Sequence, residues 1–492
     1  MSLPFHEPVP EAARLSPRLL LIDPIRVLPS LLVPLAGVLV AGGFSPRSFI
    51  WAAFGVAGSV LYAVVRWATF SYTITGGRLE LSRAFIGRST RVIPLERIRG
   101  VDVTTPFLHR LLGLAVLKLD TGAGGEKQEG ELDGITVEEA ERLRAVLLAR
   151  HAGVTGAPGV AGQPLEQAAA APRDHVFLRV PPAWLRYGPL SGAFLFTPFA
   201  LVAGAVGLAF QWGGELGLDE DDAVAVGSWL WGHPLLLVGV AVALVVLMPF
   251  LGAAMYAVFN WNFVLFGRGD HLVAERGLIN RRVVSLERRR IRGYEIAESP
   301  LERQAKVARL WAVVTGLGDS QTRGQLLPVA PRAAVGDIAA EAVGPFSEAL
   351  RPHPPAARRR RLFRAIAPWL VLALVLYALG QTIIGIIATV LAVAGIALGL
   401  DRYRSLGHTY DGTRLSVRSG SLRRAQAVVE RRAVVGWTIE QSWFQRRAGL
   451  VTVIAGVGAG SGGYKAIDAG ETQAAAFAAE VTPEWMAPFL KR

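Results

Sequence analysis

Long apolar runs arranged in pairs constrain this chain more than any other feature. Ile25–Gly43 and Ser48–Val65 flank the short break 44–47; Gly188–Phe210 and Pro234–Val258 flank an acidic break at 211–222; Ile366–Gly380 and Thr382–Leu400 flank Gln381. Most approach the ~20 residues that carry an α-helix across a ~30 Å hydrocarbon core. Leu362 and Phe363 extend the shortest. The first run lacks a signal-peptide cleavage pattern and a second apolar run follows at once, so it is expected to be retained. Six transmembrane helices in three hairpins are therefore expected. The composition agrees. Of 492 residues, 52% are apolar and 18% charged, with a mean hydropathy of +0.37. Those values exclude a disordered chain, a coiled coil and an ordinary soluble enzyme. There is no Cys, which excludes disulfides, thiolate zinc sites, cysteine nucleophiles and cysteine-ligated iron–sulfur clusters.

Charge sets the expected orientation. The net charge is +13, but the breaks inside the hairpins hold only Arg47. The second break instead carries Glu215 and Asp219 to Asp222. Arg14, Arg18, Arg66, Arg179, Arg186, Arg268, Arg358 to Arg361, Arg364, Arg402 and Arg404 all lie in the outer flanks. By the positive-inside rule, both termini and every large soluble segment are expected in the cytoplasm, on a multi-pass protein of the inner (cytoplasmic) cell membrane. The span interiors hold no Asp, Glu or Lys, which argues against an ion-coupled transporter.

The segments that follow the hairpins repeat one another. From Leu79 to Ile98, Leu272 to Ile291 and Leu415 to Val434 is 19 positions each time, and from there to Arg110, Arg303 and Arg446 is 12. Three copies with two shared intervals mean that the unit of hairpin plus soluble module is triplicated. Each module reads as β. Tyr72–Thr75 and Leu79–Arg83 alternate around Gly76-Gly77, a hairpin signal. Arg91–Ile93, Val101–Thr104 and Val116–Asp120 are further strands. A capping box at Thr136–Glu139 then opens an amphipathic helix, repeated at Ala333–Val343 and Glu471–Glu480.

The motifs are specific. The first module carries Ile93-Pro94-Leu95-Glu96-Arg97-Ile98, then Leu108-His109-Arg110-Leu111-Leu112-Gly113-Leu114, then Thr121-Gly122. With the preceding apolar hairpin, this pattern resembles the bacterial pleckstrin-homology (PH) membrane proteins of the YdbS/YdbT-like family. The second module keeps Arg303 but has Gln304-Ala305-Lys306 in place of Leu-Leu-Gly, and the third has Val429 to Val434 in place of the first motif. The resemblance implies an α+β membrane protein. Each hairpin would be followed by a cytoplasmic PH-like antiparallel sheet, nearly a barrel, capped by a C-terminal helix. It supplies no catalytic residues. The expected division is an N-terminal tail at 1–24, hairpin one at 25–66 and module one at 67–150. A linker at 151–187, hairpin two at 188–259 and module two at 260–345 follow. A Pro/Arg-rich linker at 346–362, hairpin three at 363–401 and module three at 402–492 complete the chain.

Reactive chemistry is not evident. The eight His lack metal-ligand spacing, and no GxxxxGK[ST], H-E-x-x-H, EF-hand or G-x-S-x-G pattern occurs. His109 reads as a surface or packing residue. The GxGxxG match at Gly458–Gly463 reads as a β-turn between strands, because Tyr464–Ile467 looks like a returning strand. No enzyme activity, cofactor or metal is expected. Basic clusters are the most suggestive feature. Arg281, Arg282, Arg288, Arg289, Arg290 and Arg292 are expected to share one rim of the second module and to contact anionic lipid headgroups. Nucleic acid is not expected as a partner, since the basic clusters flank membrane segments with few interleaved aromatics. The leading expectation is a non-enzymatic adaptor or assembly platform for proteins or lipid, with an unknown protein partner or a homo-oligomer. The rival is a lipid-handling or transport-related role in envelope stress or antimicrobial resistance.

Overall fold

The structure is a computed structural model. It describes residues 13–23, 25–26, 45–75, 77–84, 88–98, 100–120, 130–151, 175–192, 197–212, 220–315 and 324–490. In module one, β1 (Ala13–Arg14) precedes the helix α1 (Pro46–Thr69), and β2 (Phe70–Thr75), β3 (Arg78–Ala84), β4 (Arg88–Pro94) and β5 (Gly100–Thr105) follow. A short helix α2 (Phe107–Leu111), β6 (Leu114–Asp120), β7 (Gly130–Thr136) and the helix α3 (Val137–His151) complete it. Gly77 supplies the left-handed residue (φ 77°) that turns β2 into β3. The Thr136 side chain accepts from the Glu139 amide at 3.2 Å and starts α3 where the capping signal places it.

Module two repeats the plan with more helix. After β8 (His175–Arg179) come α4 (Thr197–Trp212), α5 (Glu220–Gly232) and α6 (Pro234–Asn260). Then follow β9 (Val264–Arg268), β10 (His271–Arg276), β11 (Arg281–Glu287), β12 (Ile291–Glu298), α7 (Pro300–Gln304), β13 (Val307–Val314), β14 (Gln325–Pro331) and α8 (Arg332–Ala342). Module three has the hairpin α9 (Pro355–Ala378) and α10 (Thr382–Arg404), then β15 (Gly407–Tyr410), β16 (Arg414–Ser419), β17 (Arg424–Glu430) and β18 (Val434–Glu440). It ends with α11 (Trp443–Arg447), β19 (Leu450–Val457), β20 (Gly463–Gly470), α12 (Glu471–Val481) and α13 (Pro483–Leu490).

Four of these helices, α1, α6, α9 and α10, are long and apolar enough to cross a membrane. The first expected span, Ile25–Gly43, lies almost wholly outside the described residues, as does most of the acidic break 211–222. The run Gly188–Phe210, expected to be one span, is divided. Gly188 sits in a 3-10 turn over Pro182–Ser191, and Gly192 at φ 69° ends it before α4. The turn packs on α6 so closely that a Cβ on Gly188 would lie 2.6 Å from the Tyr256 side chain. In hairpin three, small residues let the backbones approach. A Cβ on Gly395 would lie 2.5 Å from the Ala365 carbonyl oxygen.

The modules begin earlier than the sequence suggests. Leu15, Leu19 and Ile22, read as an N-terminal tail, are buried in the first core. Phe177, Leu178, Val180 and Trp184, read as linker, pack in or against the second. Arg351 bridges to His408 of β15. The apolar segments are therefore inserted within the modules: strand pairing joins the chain before and after each of them, Ala13 to Tyr72, Arg179 to Val264 and Arg351 to His408.

The strand order is the main finding of the fold. Among the described residues the strands form four sheets, β1-β2-β3-β4, β7-β6-β5-β11-β10-β9-β8, β14-β13-β12-β17-β16-β15 and β18-β19-β20. Neither seven- nor six-stranded sheet belongs to a single module. The back half of module one continues into the front half of module two, and the back half of module two into the front half of module three.

Candidate functional site: module junctions and membrane-proximal arginines

The two junctions are equivalent. β4, β11 and β17 start at Arg88, Arg281 and Arg424, which occupy the same place in each repeat. β5 pairs antiparallel with β11, with Arg281 opposite Thr105 and Val283 opposite Val103. β12 pairs antiparallel with β17, with Arg424 opposite Glu298 and Gln426 opposite Ile296. Thr105 and Glu298 are themselves equivalent, so the register is the same twice.

Side chains reinforce both junctions. Arg282 reaches the buried carboxylate of Asp102 at 2.6 Å. Arg424 binds the buried carboxylate of Glu298. The repeated arginine of the sequence motif acts here too. Arg110 donates to the Leu278 carbonyl at 2.9 Å. Arg303 donates to the carbonyl of Ser421, the equivalent residue, at 3.2 Å. Arg303 also clamps Asp401 at the end of α10 with two bonds, of 2.6 and 2.9 Å. Sequence spacing found this arginine but not its job, which needs the neighbouring module to be visible.

The six arginines of module two are not one rim. The β10–β11 turn lies against the end of α6: the Gly277 amide donates to Trp261 and the Leu278 amide to Val258. Arg281 and Arg282 therefore start β11 at the end nearest α6. Arg288, Arg289 and Arg290 follow its far end, about 20 Å away at ~3.3 Å per residue. Arg281 pairs with Glu275 at 2.6 Å. Arg289 and Arg290 both bind Glu287, at 2.8 and 2.6 Å. Arg288 lies over the Phe177 ring at 5.2 Å, and Arg292 is 3.9 Å from Glu430. The expectation of a shared rim took 281–292 as a compact patch, whereas β11 is extended and separates its two ends.

A different basic cluster forms at the base of hairpin three. Arg360 and Arg361, expected to act as topogenic charge, bind fully buried Asp468 at 3.0 and 2.7 Å and so fix α9 onto module three. Gln445 of α11 donates to the same carboxylate at 2.8 Å. Exposed Arg359, Phe363, Arg364, Phe444 and Arg447 line a groove around this anchor. Close by, the buried His353 places Nδ1 at 3.0 and 3.1 Å from the carbonyl oxygens of Ile467 and Asp468, so Nδ1 carries its proton. Its Nε2 then accepts from Nδ1 of His408 at 2.9 Å. Burial lowers the pKa of both rings, that of His408 to about 3, with His353 and Arg351 adding to the effect.

Other expectations have plain outcomes. His109 is buried and bonded to Asp133 at 2.8 Å, a packing role. The GxGxxG match is the turn between antiparallel β19 and β20, with Gly460 and Gly462 left-handed. Among the described residues no group of three His, Asp or Glu is placed to hold a metal ion.

Three modules joined by shared sheets, with four helices long and apolar enough to cross a membrane, define a membrane protein built from repeated PH domains. The family described as Bacterial PH domain matches residues 24–151, 221–341 and 367–484, and the chain belongs to it. The chain is also 22% identical over 422 residues to UPF0699 transmembrane protein YdbT of Bacillus subtilis (strain 168), covering 82% of this chain and 81% of that one. No solved structure matches it.

Proposed function

We propose that the chain is a non-enzymatic adaptor of the inner membrane, whose three PH modules form one cytoplasmic binding platform. The observation that carries this reading is the pair of shared sheets, which hold the three PH modules in fixed relation. Independent modules on flexible linkers would need no such junctions. The exposed Leu278 and Ile279 of one hairpin tip, and Leu422 of the equivalent tip, supply apolar contacts toward the membrane. Arg359, Arg364 and Arg447 supply charge for anionic headgroups, each near-surface arginine being worth about 1 kcal/mol. Of the arginines in module two, Arg281 and Arg282 are the ones next to the turn that packs on the end of α6, which supports assigning them to the bilayer surface.

The test is proximity cross-linking in native membranes, comparing the intact chain with Gly293→Ala, which disturbs the second junction. A platform loses its cross-linked partner set when the junction opens. An unchanged partner set contradicts the reading, as does saturable turnover of nucleotide or ester substrates by the purified protein.

A further inference from the structure

The two internal junctions repeat one operation, of which module one leaves one half unused and module three the other. β4 and β18 each end a sheet, and among the described residues no strand pairs with their outer edges. β4 is the equivalent of β11 and β17, and β18 of β5 and β12, the strands that make the junctions. The difference shows residue by residue. Val92 of β4 is 44% exposed, whereas its equivalents Ser285 and Val428 are 2% and 1% exposed. Ile439 of β18 is 52% exposed, whereas its equivalent Val103 is 3% exposed.

The junction chemistry is nevertheless present at these edges. A Cβ on Gly293 would lie 2.0 Å from the Val428 carbonyl oxygen across the second junction. Its equivalent Gly436 faces open space, with nothing within 4 Å of the same atom. Arg446, the equivalent of the junction arginines Arg110 and Arg303, is exposed.

We propose that a second copy of this chain completes the third junction: β18 of one copy pairs antiparallel with β4 of the next, in the internal register. That register sets Ile439 opposite Thr90, Trp437 opposite Val92, and Gly436 opposite Ile93. Val435 and Ile439, both exposed, then meet Val92 on one face of the ladder. Glu440 stands opposite Ser89, with Arg91 two residues along the same face. Open strand edges are templates for this kind of pairing, and main-chain hydrogen bonds supply its affinity.

A second copy is favoured over another partner because the step already occurs twice in this chain. The membrane adds a geometric argument. Both internal steps carry spans that share one bilayer, so the step turns about an axis along the membrane normal. A third identical step keeps the spans of the next copy in that bilayer. Such a head-to-tail contact extends in the membrane plane and closes into a ring where the rotation allows. This assembly follows from the junction geometry alone and stands whether or not the adaptor reading holds.

The absence of Cys makes the test direct. Full-length Thr90→Cys and Ile439→Cys, differently tagged, are expressed alone and together in native membranes and oxidised. Each alone is expected to give no cross-linked product, and the two together a mixed dimer. The double variant is expected to give a ladder of oligomers. Adding Gly436→Val should abolish the ladder while leaving the thermal unfolding midpoint unchanged, since among the described residues no atom lies within 4 Å of that Cβ. Four results would each overturn the proposal. They are a homotypic dimer from either single variant, a bond closed within one chain, no cross-link at all, and a ladder that survives Gly436→Val.

Discussion

At the scale of single residues, the junction arginines and the buried histidine pair carry separable effects. Arg303 is only slightly exposed and makes a two-pronged bond to Asp401 as well as a bond to Ser421. Hydrogen bonds to charged groups contribute roughly 1.5–3 kcal/mol. Arg303→Ala should therefore cost about 2 kcal/mol at the junction of modules two and three, read from the unfolding midpoint in detergent. Arg303→Lys should restore less than half of the loss, because an ammonium cannot reproduce the planar fork. Full restoration by lysine would reduce the contact to simple charge. The histidines predict acid sensitivity. An unfolded chain protonates its histidines near the ordinary value of about 6.5, while folded His408 holds out to about 3. The unfolded state thus binds more protons in that window, so stability is complete above about pH 6.5 and declines as pH falls toward 3. The unfolding midpoint of the wild type should drop between pH 7 and 5. His408→Phe should flatten that slope, whatever it does to the midpoint itself, and an unaltered slope would rule the pair out as its source.

At the scale of elements, the strand pairs across the junctions are the vulnerable joints. Gly293 allows β12 and β17 to approach, and an added methyl would press on backbone that cannot swing aside. Gly293→Ala should destabilise the second junction by about 1–3 kcal/mol, the usual cost of overpacking. Protease should then cut more readily between modules two and three, with each module still resistant inside. Resistance equal to that of the wild type would show that the junction yields without loss. The elements themselves were largely legible in the sequence. The strand runs, the Thr136 cap and the helices at 332–342 and 471–481 follow from local alternation, capping and periodicity. The beginnings of the modules were not legible, because Leu15, Leu19 and Ile22 reach their core only across an inserted hairpin. Nor were the junctions. Val283 and Val284 of β11 stand where β4 has Thr90 and Arg91, but an apolar pair in a strand does not say which module covers it. The arginine cluster misled for a related reason, since closeness in sequence along an extended strand is distance in space. The groove at the base of hairpin three joins 359–364 to 444–447, and no local pattern links those segments.

At the scale of the whole molecule, shared sheets join the three modules to one another, and the proposed orientation puts all three on the cytoplasmic side of the bilayer. Reporter fusions at Gln163 and after Arg492 should therefore report the cytoplasm, and a fusion within 213–219 the opposite side. A cytoplasmic signal from 213–219 would reverse the assignment of the second hairpin. The central claim is that neighbouring modules share sheets in a fixed register. The most direct measurement is disulfide formation across the second junction in the intact, otherwise cysteine-free protein in membranes. Ile296 and Gln426 stand opposite one another on β12 and β17, and both are half-buried. Ile296→Cys with Gln426→Cys should cross-link rapidly, so that fragments cut between residues 346 and 354 stay joined until reduced. Ile296→Cys with Leu422→Cys, four positions out of register, should not. Equal cross-linking of both pairs, or none of the first, would contradict the shared sheet.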